Sequence, residues 1–392
     1  MQQVLNVTTH IAIAILVFLL MITIHELGHY VVGKIFKFRI NEFAVGLGPK
    51  LLSKKLKNGE EFSLRALPLG GYCAFDTGED DNSANEAHLS AAAVFGNDFE
   101  GDSRIRAQVP KAVQEVSKTT KFDDQKPYKR ILVFLGGAGF NIISAVIFSF
   151  IFLISVGYNV PVVDVVLSDS AGVPYTALQV GDEIIAVDGR RVTPIRGYGA
   201  MISGFGEGET LTLTVIRDEE EVILPNILIQ RITYVDEGGI ERTFVGVGYR
   251  QLSPARRRPG VGRSLLYAIP FTGQMSIAIL RVFGMLLTGG MPLNELSGPI
   301  GTVGAIASFT MMSMSNILIL LPLIAANFAI FNLLPIPALD GARVVFALIE
   351  WIRGKPIPKR VENRIHMVGF LAIMGLMILI ITPLDIMRLI GR

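Results

Sequence analysis

The five residues His25-Glu26-Leu27-Gly28-His29 hold the densest chemistry in this 392-residue chain. Two histidines four apart on a helix project from one face, so both imidazoles can reach one metal ion. Glu26 stands beside the first imidazole, where a carboxylate can act as general base toward a water at that ion. The bland alternative, two hydrogen-bonded histidines tying helices together, does not explain Glu26 between them. A catalytic zinc takes three protein ligands and keeps one position open. Cys73 is the only cysteine, which excludes an internal disulfide, a thiolate-built zinc site and a paired-cysteine redox centre. Among the remaining histidines, His10, His88 and His366, none has a helpful neighbourhood. Asp340 is the better third ligand, since it ends a 44-residue charge-free stretch, Leu296 to Leu339, in Asn332-Leu333-Leu334-Pro335-Ile336-Pro337-Ala338-Leu339-Asp340-Gly341. Pro335 and Pro337 deny a helix its hydrogen bonds, and irregular backbone at membrane depth survives only within protein or beside water. The alternative for Asp340 is that it caps the helix that follows.

These residues need elements that can carry them into a bilayer. Hydrophobic residues make up 51% of the chain and charged residues 18%, against about 25% charged in soluble domains. A soluble enzyme and a disordered chain are both excluded as descriptions of the whole. A net charge of +2 offers no electrostatic case for nucleic acid, and none is expected as a partner. Four stretches are long and apolar enough to span: Ile11 to Ile35 through the His-Glu-His interruption, Ile131 to Gly157, Ile317 to Leu334, and Met367 to Leu384. Ionisable groups inside the first are costly in lipid and therefore mark function. Ser264 to Thr288, with Arg263 at its edge and Arg281 inside, reads as an amphipathic helix lying at the surface, and the Gly-rich stretch before Ile317 reads as irregular. Lys37, Arg39, Lys50, Lys54, Lys55 and Lys57 follow the first span, and Arg353, Lys355, Lys359, Arg360 and Arg364 precede the last. By the positive-inside rule both loops are cytoplasmic and the N-terminus is outside. Arg256, Arg257 and Arg258 point the other way, but long translocated domains obey the rule poorly. No basic region precedes the first apolar run, so a cleaved signal peptide is not expected.

The polar segments differ in character. Asn58-Gly59 predicts a two-residue β-hairpin turn, and Glu61 to Leu67 alternates like a half-buried strand. An exposed edge along Phe62, Ser63, Leu64 and Arg65 would pair with an unwound substrate by main-chain hydrogen bonds. Between Asp76 and Arg104 eight acidic residues occur without a base, as in a partly disordered cytoplasmic insertion. From Pro161 to about Tyr249, short β-rich runs such as Val162 to Leu167, Glu183 to Val187 and Thr210 to Ile216 alternate with Gly and Asp turns. Within them, Val180-Gly181-Asp182-Glu183-Ile184-Ile185-Ala186-Val187-Asp188-Gly189, with a helix expected at Tyr175 to Leu178, resembles the signature of PDZ domains, which take extended peptides as an added strand.

The expected architecture is therefore a polytopic α-helical membrane protein with about four transmembrane helices, a membrane-associated β-hairpin on the cytoplasmic side and one extracytoplasmic PDZ-like α+β domain. Its segments are a first transmembrane helix (1–36), the β-hairpin region (37–75), the acidic insertion (76–127) and a second transmembrane helix (128–158). There follow the PDZ-like domain (159–250), a linker with the amphipathic helix and Gly-rich segment (251–315), the third transmembrane helix (316–345), and a cytoplasmic loop with the fourth (346–392).

HExxH in a first span, NxxPxPxLDG in a later one and a PDZ-like insertion between them resemble the bacterial site-2 proteases, membrane zinc metalloproteases of regulated intramembrane proteolysis. The resemblance extends over nearly the whole chain and takes in Phe43-Ala44-Val45-Gly46-Leu47-Gly48-Pro49-Lys50, Pro68-Leu69-Gly70-Gly71-Tyr72 and Ser297-Gly298-Pro299-Ile300-Gly301. It implies Zn2+ as cofactor, His25, His29 and Asp340 as its ligands, and Glu26 as the catalytic base. It also implies that Asn332 and Pro335 help to hold the substrate. Gly137-Ala138-Gly139-Phe140-Asn141 stands where the family has GPxxN, with Ala138 in the place of Pro and Asn141 kept as an active-site polar group. Asn141 or Asn332 would donate to the developing oxyanion. The substrates implied are single-span membrane proteins, either regulators such as anti-sigma factors or remnant signal peptides, and the location is the bacterial cytoplasmic membrane.

Overall fold

The computed structural model describes residues 2–77, 119–169, 171–235, 240–251, 255–292 and 297–376, with single positions between 378 and 387. Most of the acidic insertion lies outside the described residues. The chain forms two compact units, 1–148 with 275–392, and 149–274. In order come α1 (Gln2–Ile35), β1 (Ile40–Lys55), β2 (Glu61–Phe75) and α2 (Pro127–Ser155). Next are β3 (Tyr158–Val160), β4 (Val165–Val166), β5 (Glu183–Val187), β6 (Arg190–Arg191), α3 (Tyr198–Ile202), β7 (Thr210–Arg217) and β8 (Glu220–Leu228). Then follow β9 (Gln230–Val235), β10 (Glu241–Gly246), β11 (Tyr249–Arg250), β12 (Ala255–Arg257) and α4 (Val261–Leu287). The last are α5 (Pro299–Met312), α6 (Ile317–Leu333), α7 (Asp340–Arg353) and α8 (Lys359–Leu376).

Four helices are long and apolar enough to cross a membrane: residues 8–35 of α1, α2, α4, and residues 314–333 ending in α6. Two of the expectations change here. The segment read as a surface helix, α4, qualifies as a span, and its Met275 and Ile279 pack into the same core as α1 and α6. The reason is that one interior cation, Arg281, sits on a long stem that can carry its charge toward the interface. The Gly-rich stretch is helical rather than irregular, as α5. Pro299 starts that helix in the first-turn position it favours, and the buried Asp385 carboxylate accepts the amides of Gly298 at 3.3 Å and Gly301 at 2.8 Å. The Ser297-Gly298-Pro299-Ile300-Gly301 motif thus receives a carboxylate from the far end of the chain. The fourth expected span, Met367 to Leu384, is described as helix α8 only as far as Leu376, and much of the rest lies outside the described residues.

Small residues set how closely the spans approach. Ala14, Val17 and Met21 of α1 meet Ala145 of α2, Ile306 of α5, and Ile324, Ala325 and Ala326 of α6 in one buried cluster. With lipid as apolar as the side chains, such close packing is what holds membrane helices together. At the far end of α1, His10 Nδ1 lies 3.0 Å from the Thr310 hydroxyl, so α5 runs back along α1 with its C-terminal end beside the start of α1.

The β1 and β2 strands form a two-stranded antiparallel sheet. The Leu56 amide donates to the Glu60 carbonyl, which encloses Lys57 to Gly59 as a three-residue loop, one longer than the turn expected. Gly59, at φ 88°, takes the left-handed position that such a loop requires. Gly46 (φ 88°) and Gly48 (φ 84°) bend β1, so that both of its halves border the first half of β2. Phe62, Ser63 and Leu64 consequently have partners on both sides, Phe43, Ala44 and Val45 on one and Lys54, Ser53 and Leu52 on the other, while Arg65 pairs with Lys50. Phe62, Ser63 and Leu64 are therefore not a free edge, and Arg65 has a strand partner on one side. Ser63 is buried and donates to Glu42, and Arg65 donates to Glu42 and to the Gly48 carbonyl. Gly71, Tyr72 and Cys73 pair only with Val45, Ala44 and Phe43, leaving their other side open among the described residues.

In the 149–274 unit, β6, β5, β7 and β8 form a four-stranded sheet in that order over a core that includes Val163, Leu178, Ile184, Leu213 and Val215. Positive φ at Asp188 and Gly189, and at Asp218 and Glu219, gives both hairpins the mirror-image turns that suit strand twist. The helix expected at Tyr175 to Leu178 is absent. The Tyr175 amide goes to Leu167 and the Gln179 amide to the Asp182 carboxylate, and Leu178 is drawn into the core. A single turn cannot outweigh those partners, because helix nucleation is unfavourable. A short helix, α3, lies instead between β6 and β7.

Candidate metal centre and active site

The approach of α1 to α2 builds the site. A methyl group on Gly137 would fall 2.5 Å from His29 Nε2 and 2.8 Å from His25 Nε2, so the bare backbone of α2 makes room for both donor nitrogens. Helix α2 passes unbroken through Ala138, and the family's Pro is not needed for this contact. From the other side, α6 ends where Pro335 and Pro337 interrupt it, and the turn that follows delivers Asp340 at the start of α7. The Asp340 Oδ2 atom lies 2.9 Å from His25 Nε2 and 3.1 Å from His29 Nε2, and the two nitrogens are 3.1 Å apart. The N-cap of α7 is Leu339, and the Asp340 carboxylate, at the first helical position, is turned to the histidines.

The donor set fits zinc. Nitrogen and oxygen ligands at about 2.0 to 2.1 Å in a tetrahedron stand roughly 3.4 Å apart, close to the triangle seen here. This is the only such cluster of His, Cys, Asp and Glu among the described residues. Each imidazole is also held from behind. The Val133 carbonyl accepts from His29 Nδ1 at 2.8 Å, which leaves Nε2 with its lone pair for a metal. The Asn141 side-chain Nδ2 lies 3.2 Å from His25 Nδ1 and holds that ring in place. The amide's other end is buried without a hydrogen-bond partner.

A cavity of about 380 Å³ opens on this triangle, lined by Glu26, Gly71, Cys73, Asn332 and Arg343 among others. Glu26 is half-buried, and its carboxylate takes a hydrogen bond from the Cys73 backbone amide. The open side of β2 thus lies along the cavity. Of the residues singled out in the sequence, His25, Glu26, His29, Asp340 and Asn332 come together. Asn141 is fully buried, is not among the cavity-lining residues and orients His25. Pro335 is exposed and shapes the turn without lining the cavity. Phe62 to Arg65 lie within the sheet. Sequence reasoning missed Val133, Gly137, the Gly71 to Cys73 edge, and His366, whose Nδ1 accepts the Ala338 amide at 2.9 Å. Glycine in the motifs around Gly71 and Gly137 was the one signal available.

Outside the spanning helices, the Glu42 carboxylate is the hub of the sheet. Burial pushes its pKa up, but hydrogen bonds from Ser63, Tyr72 and Arg65 and the charge of Lys50 outweigh that and hold it at about 2. Glu60 accepts from Tyr30 and Lys34 at the end of α1, which fixes the hairpin loop to the helix carrying the histidines.

Comparison with known proteins agrees with this chemistry. Residues 13–376 match the family described as Peptidase family M50. The chain is 30% identical to "Putative zinc metalloprotease Atu1380" of Agrobacterium fabrum over 98% of its own length and 97% of that protein. It is 26% identical to "Zinc metalloprotease RasP" of Bacillus licheniformis over 96% of its own length and 98% of that protein. With the family pattern running through nearly the whole chain and both relatives matched almost end to end, the chain belongs to Peptidase family M50, the site-2 proteases, as a multi-pass membrane zinc metalloprotease.

Proposed function

We propose that His25, His29 and Asp340 hold the zinc, that Glu26 is the catalytic base, and that the enzyme cleaves transmembrane segments of single-span membrane proteins. The observation that carries this reading is the convergence of three donor atoms, 315 residues apart in sequence at the extreme, beside a carboxylate on a spanning helix. Held by these three residues, zinc would supply Lewis acidity to the scissile carbonyl and to the attacking water. Glu26 takes the proton from the attacking water on its carboxylate and returns it to the leaving amine. Asn332, on the cavity wall, is the amide available to the developing oxyanion, whereas Asn141 serves His25. A helical substrate hides its carbonyls, so it must unwind to react. The open side of Gly71 to Cys73 would take the unwound segment as an added strand and present its backbone to Glu26.

The orientation we infer places the N-terminus and the 149–274 unit outside the cytoplasm, with β1 and β2 on the cytoplasmic side, in the cytoplasmic membrane of a bacterium. If α1 enters from outside, α5 runs outward beside it and α6 runs inward, ending at the histidines. Helix α4 then runs inward as well. The pair α4 and α5 cancel in the topology, so the basic loops after α1 and before α8 stay inside. The 149–274 unit reads as a PDZ-like module, which would screen substrates by bulk or take a peptide along β8, the edge of its sheet. Regulators such as anti-sigma factors and remnant signal peptides are the substrates this reading favours.

The deciding experiment is Glu26→Gln in the full-length protein. It should retain one zinc per chain and lose cleavage, because the ligands survive and the base does not. His25→Ala, His29→Ala and Asp340→Ala should each lose zinc as well. Full zinc and activity in Asp340→Ala would remove it from the ligand set.

A further inference from the structure

Between α6 and α7 the chain makes a turn that no helix hydrogen bond supports. The Ile336 amide reaches back to the Leu334 carbonyl and the Leu339 amide to the Ile336 carbonyl. Ala338, between them, sits at φ 83°, a left-handed conformation that a side chain disfavours and that persists only when its surroundings impose it. Its amide donates to Nδ1 of His366 on α8 at 2.9 Å. One turn further along α8, Gly369 lies against Pro337, so close that a methyl group there would fall 2.3 Å from the Pro337 Cβ. The His366 ring is itself packed on Phe346 of α7, with centroids 5.5 Å apart, and its Nε2 is buried without a partner. Two residues after Ala338 comes Asp340.

We propose that His366 is a positioning residue for the metal site: by accepting the Ala338 amide it holds the left-handed turn that aims Asp340 at His25 and His29. The idea rests on Asp340 being a zinc ligand. Helix α8 thereby acts on the metal through one hydrogen bond and one glycine contact, without touching the metal. The His366 ring does two things, filling the space beside Phe346 and supplying the acceptor that faces Ala338, and the turn depends on the second. Phenylalanine supplies only the first. Asparagine places an amide oxygen near the Nδ1 position, and glycine at 338 adopts positive φ without help.

The test uses full-length protein in detergent, with zinc affinity measured by competition against a chromophoric chelator and turnover on a fluorescently labelled single-span transmembrane peptide. His366→Phe should weaken zinc binding by about tenfold or more, the size of effect seen when a partner of a metal ligand is lost, with kcat/KM falling in step. His366→Asn should bind zinc much as the wild type does. Ala338→Gly, added to His366→Phe, should recover most of the lost affinity, which repair of general packing would not do. Wild-type affinity in His366→Phe overturns the proposal, and so does a loss that is equally large in His366→Asn and is not repaired by adding Ala338→Gly. Asp340→Ala is measured alongside. If it binds zinc normally, the ligand assignment itself has failed; if it loses zinc while His366→Phe does not, only the brace has failed.

Discussion

A methyl group on Gly28 of α1 would lie 2.2 Å from the backbone oxygen of Gly136 on α2, nearer than any real carbon contact. This crossing sets the distance at which His29 reaches the Val133 carbonyl and at which Gly137 clears both imidazoles. Gly28→Ala must push the helices apart, with an overpacking cost of about 1 to 3 kcal/mol. We expect it to lower zinc content and activity together while the protein still inserts. Metal analysis of the purified variant checks this, and normal zinc in Gly28→Ala would show that the crossing does not govern the site.

The contact of Asn141 with His25 Nδ1 leads to a second expectation. Asn141→Ala removes the group that holds the His25 ring from behind and should weaken zinc binding by about 10- to 100-fold. If Asn141 instead met the oxyanion, the variant would keep its zinc affinity and lose kcat alone. Measuring both quantities on one preparation separates these roles.

Gly71 stands between the sheet and the catalytic carboxylate. A methyl group there would lie 3.3 Å from Glu26 Cγ and 2.9 Å from the Ala44 carbonyl, on the wall of the cavity. Gly71→Ala should therefore keep zinc and reduce kcat/KM, because the base and the open strand are both displaced. Ser63→Pro should behave differently and destabilise the whole sheet, since Ser63 is paired on both sides. Selective loss of cleavage with an intact sheet in Ser63→Pro would return the substrate edge to that strand.

The contrast between Gly71 and Ser63 shows what was legible in the sequence. His25, Glu26, His29 and Asp340 stood out because ionisable groups in apolar stretches need partners, and few partners were available. The alternation of Glu61 to Leu67 identified a strand but not its neighbours. Which strand forms the edge depends on the bend at Gly46 and Gly48, a pairing between residues far along the chain. Helix α5 was hidden because its glycines predict irregular chain, and the Asp385 carboxylate at its start is 84 residues from Gly301. His366 carried no local signal, since its partner Ala338 matters only through its backbone.

Glu42 makes the sheet sensitive to acid. Its carboxyl pKa lies at about 2 in the folded protein, below its ordinary value of 4.5, so the unfolded chain binds the proton more readily. The stabilisation is complete above the ordinary value and fades as pH falls toward 2. Glu42→Gln should flatten this part of the pH dependence, with its largest deficit near neutral pH. Thermal melts of the two proteins between pH 7 and pH 3 give the comparison, and parallel curves would mean that Glu42 does not contribute.

Asp385 and Gly301 offer a test by non-additivity. The carboxylate is buried and accepts two amides at the start of α5, and a methyl group on Gly301 would fall 2.4 Å from its Oδ1. Asp385→Ala should cost about 0.5 to 2 kcal/mol, as loss of a helix N-cap does. Gly301→Ala should incur much of the same cost by expelling the carboxylate. If both act through that one contact, the double variant is little worse than either single one, because residues sharing an interaction do not add. Detergent-solubilised melts of the four proteins decide it. Additive losses would mean that Gly301 serves some other packing contact and that Asp385 holds α5 without needing the space beside it.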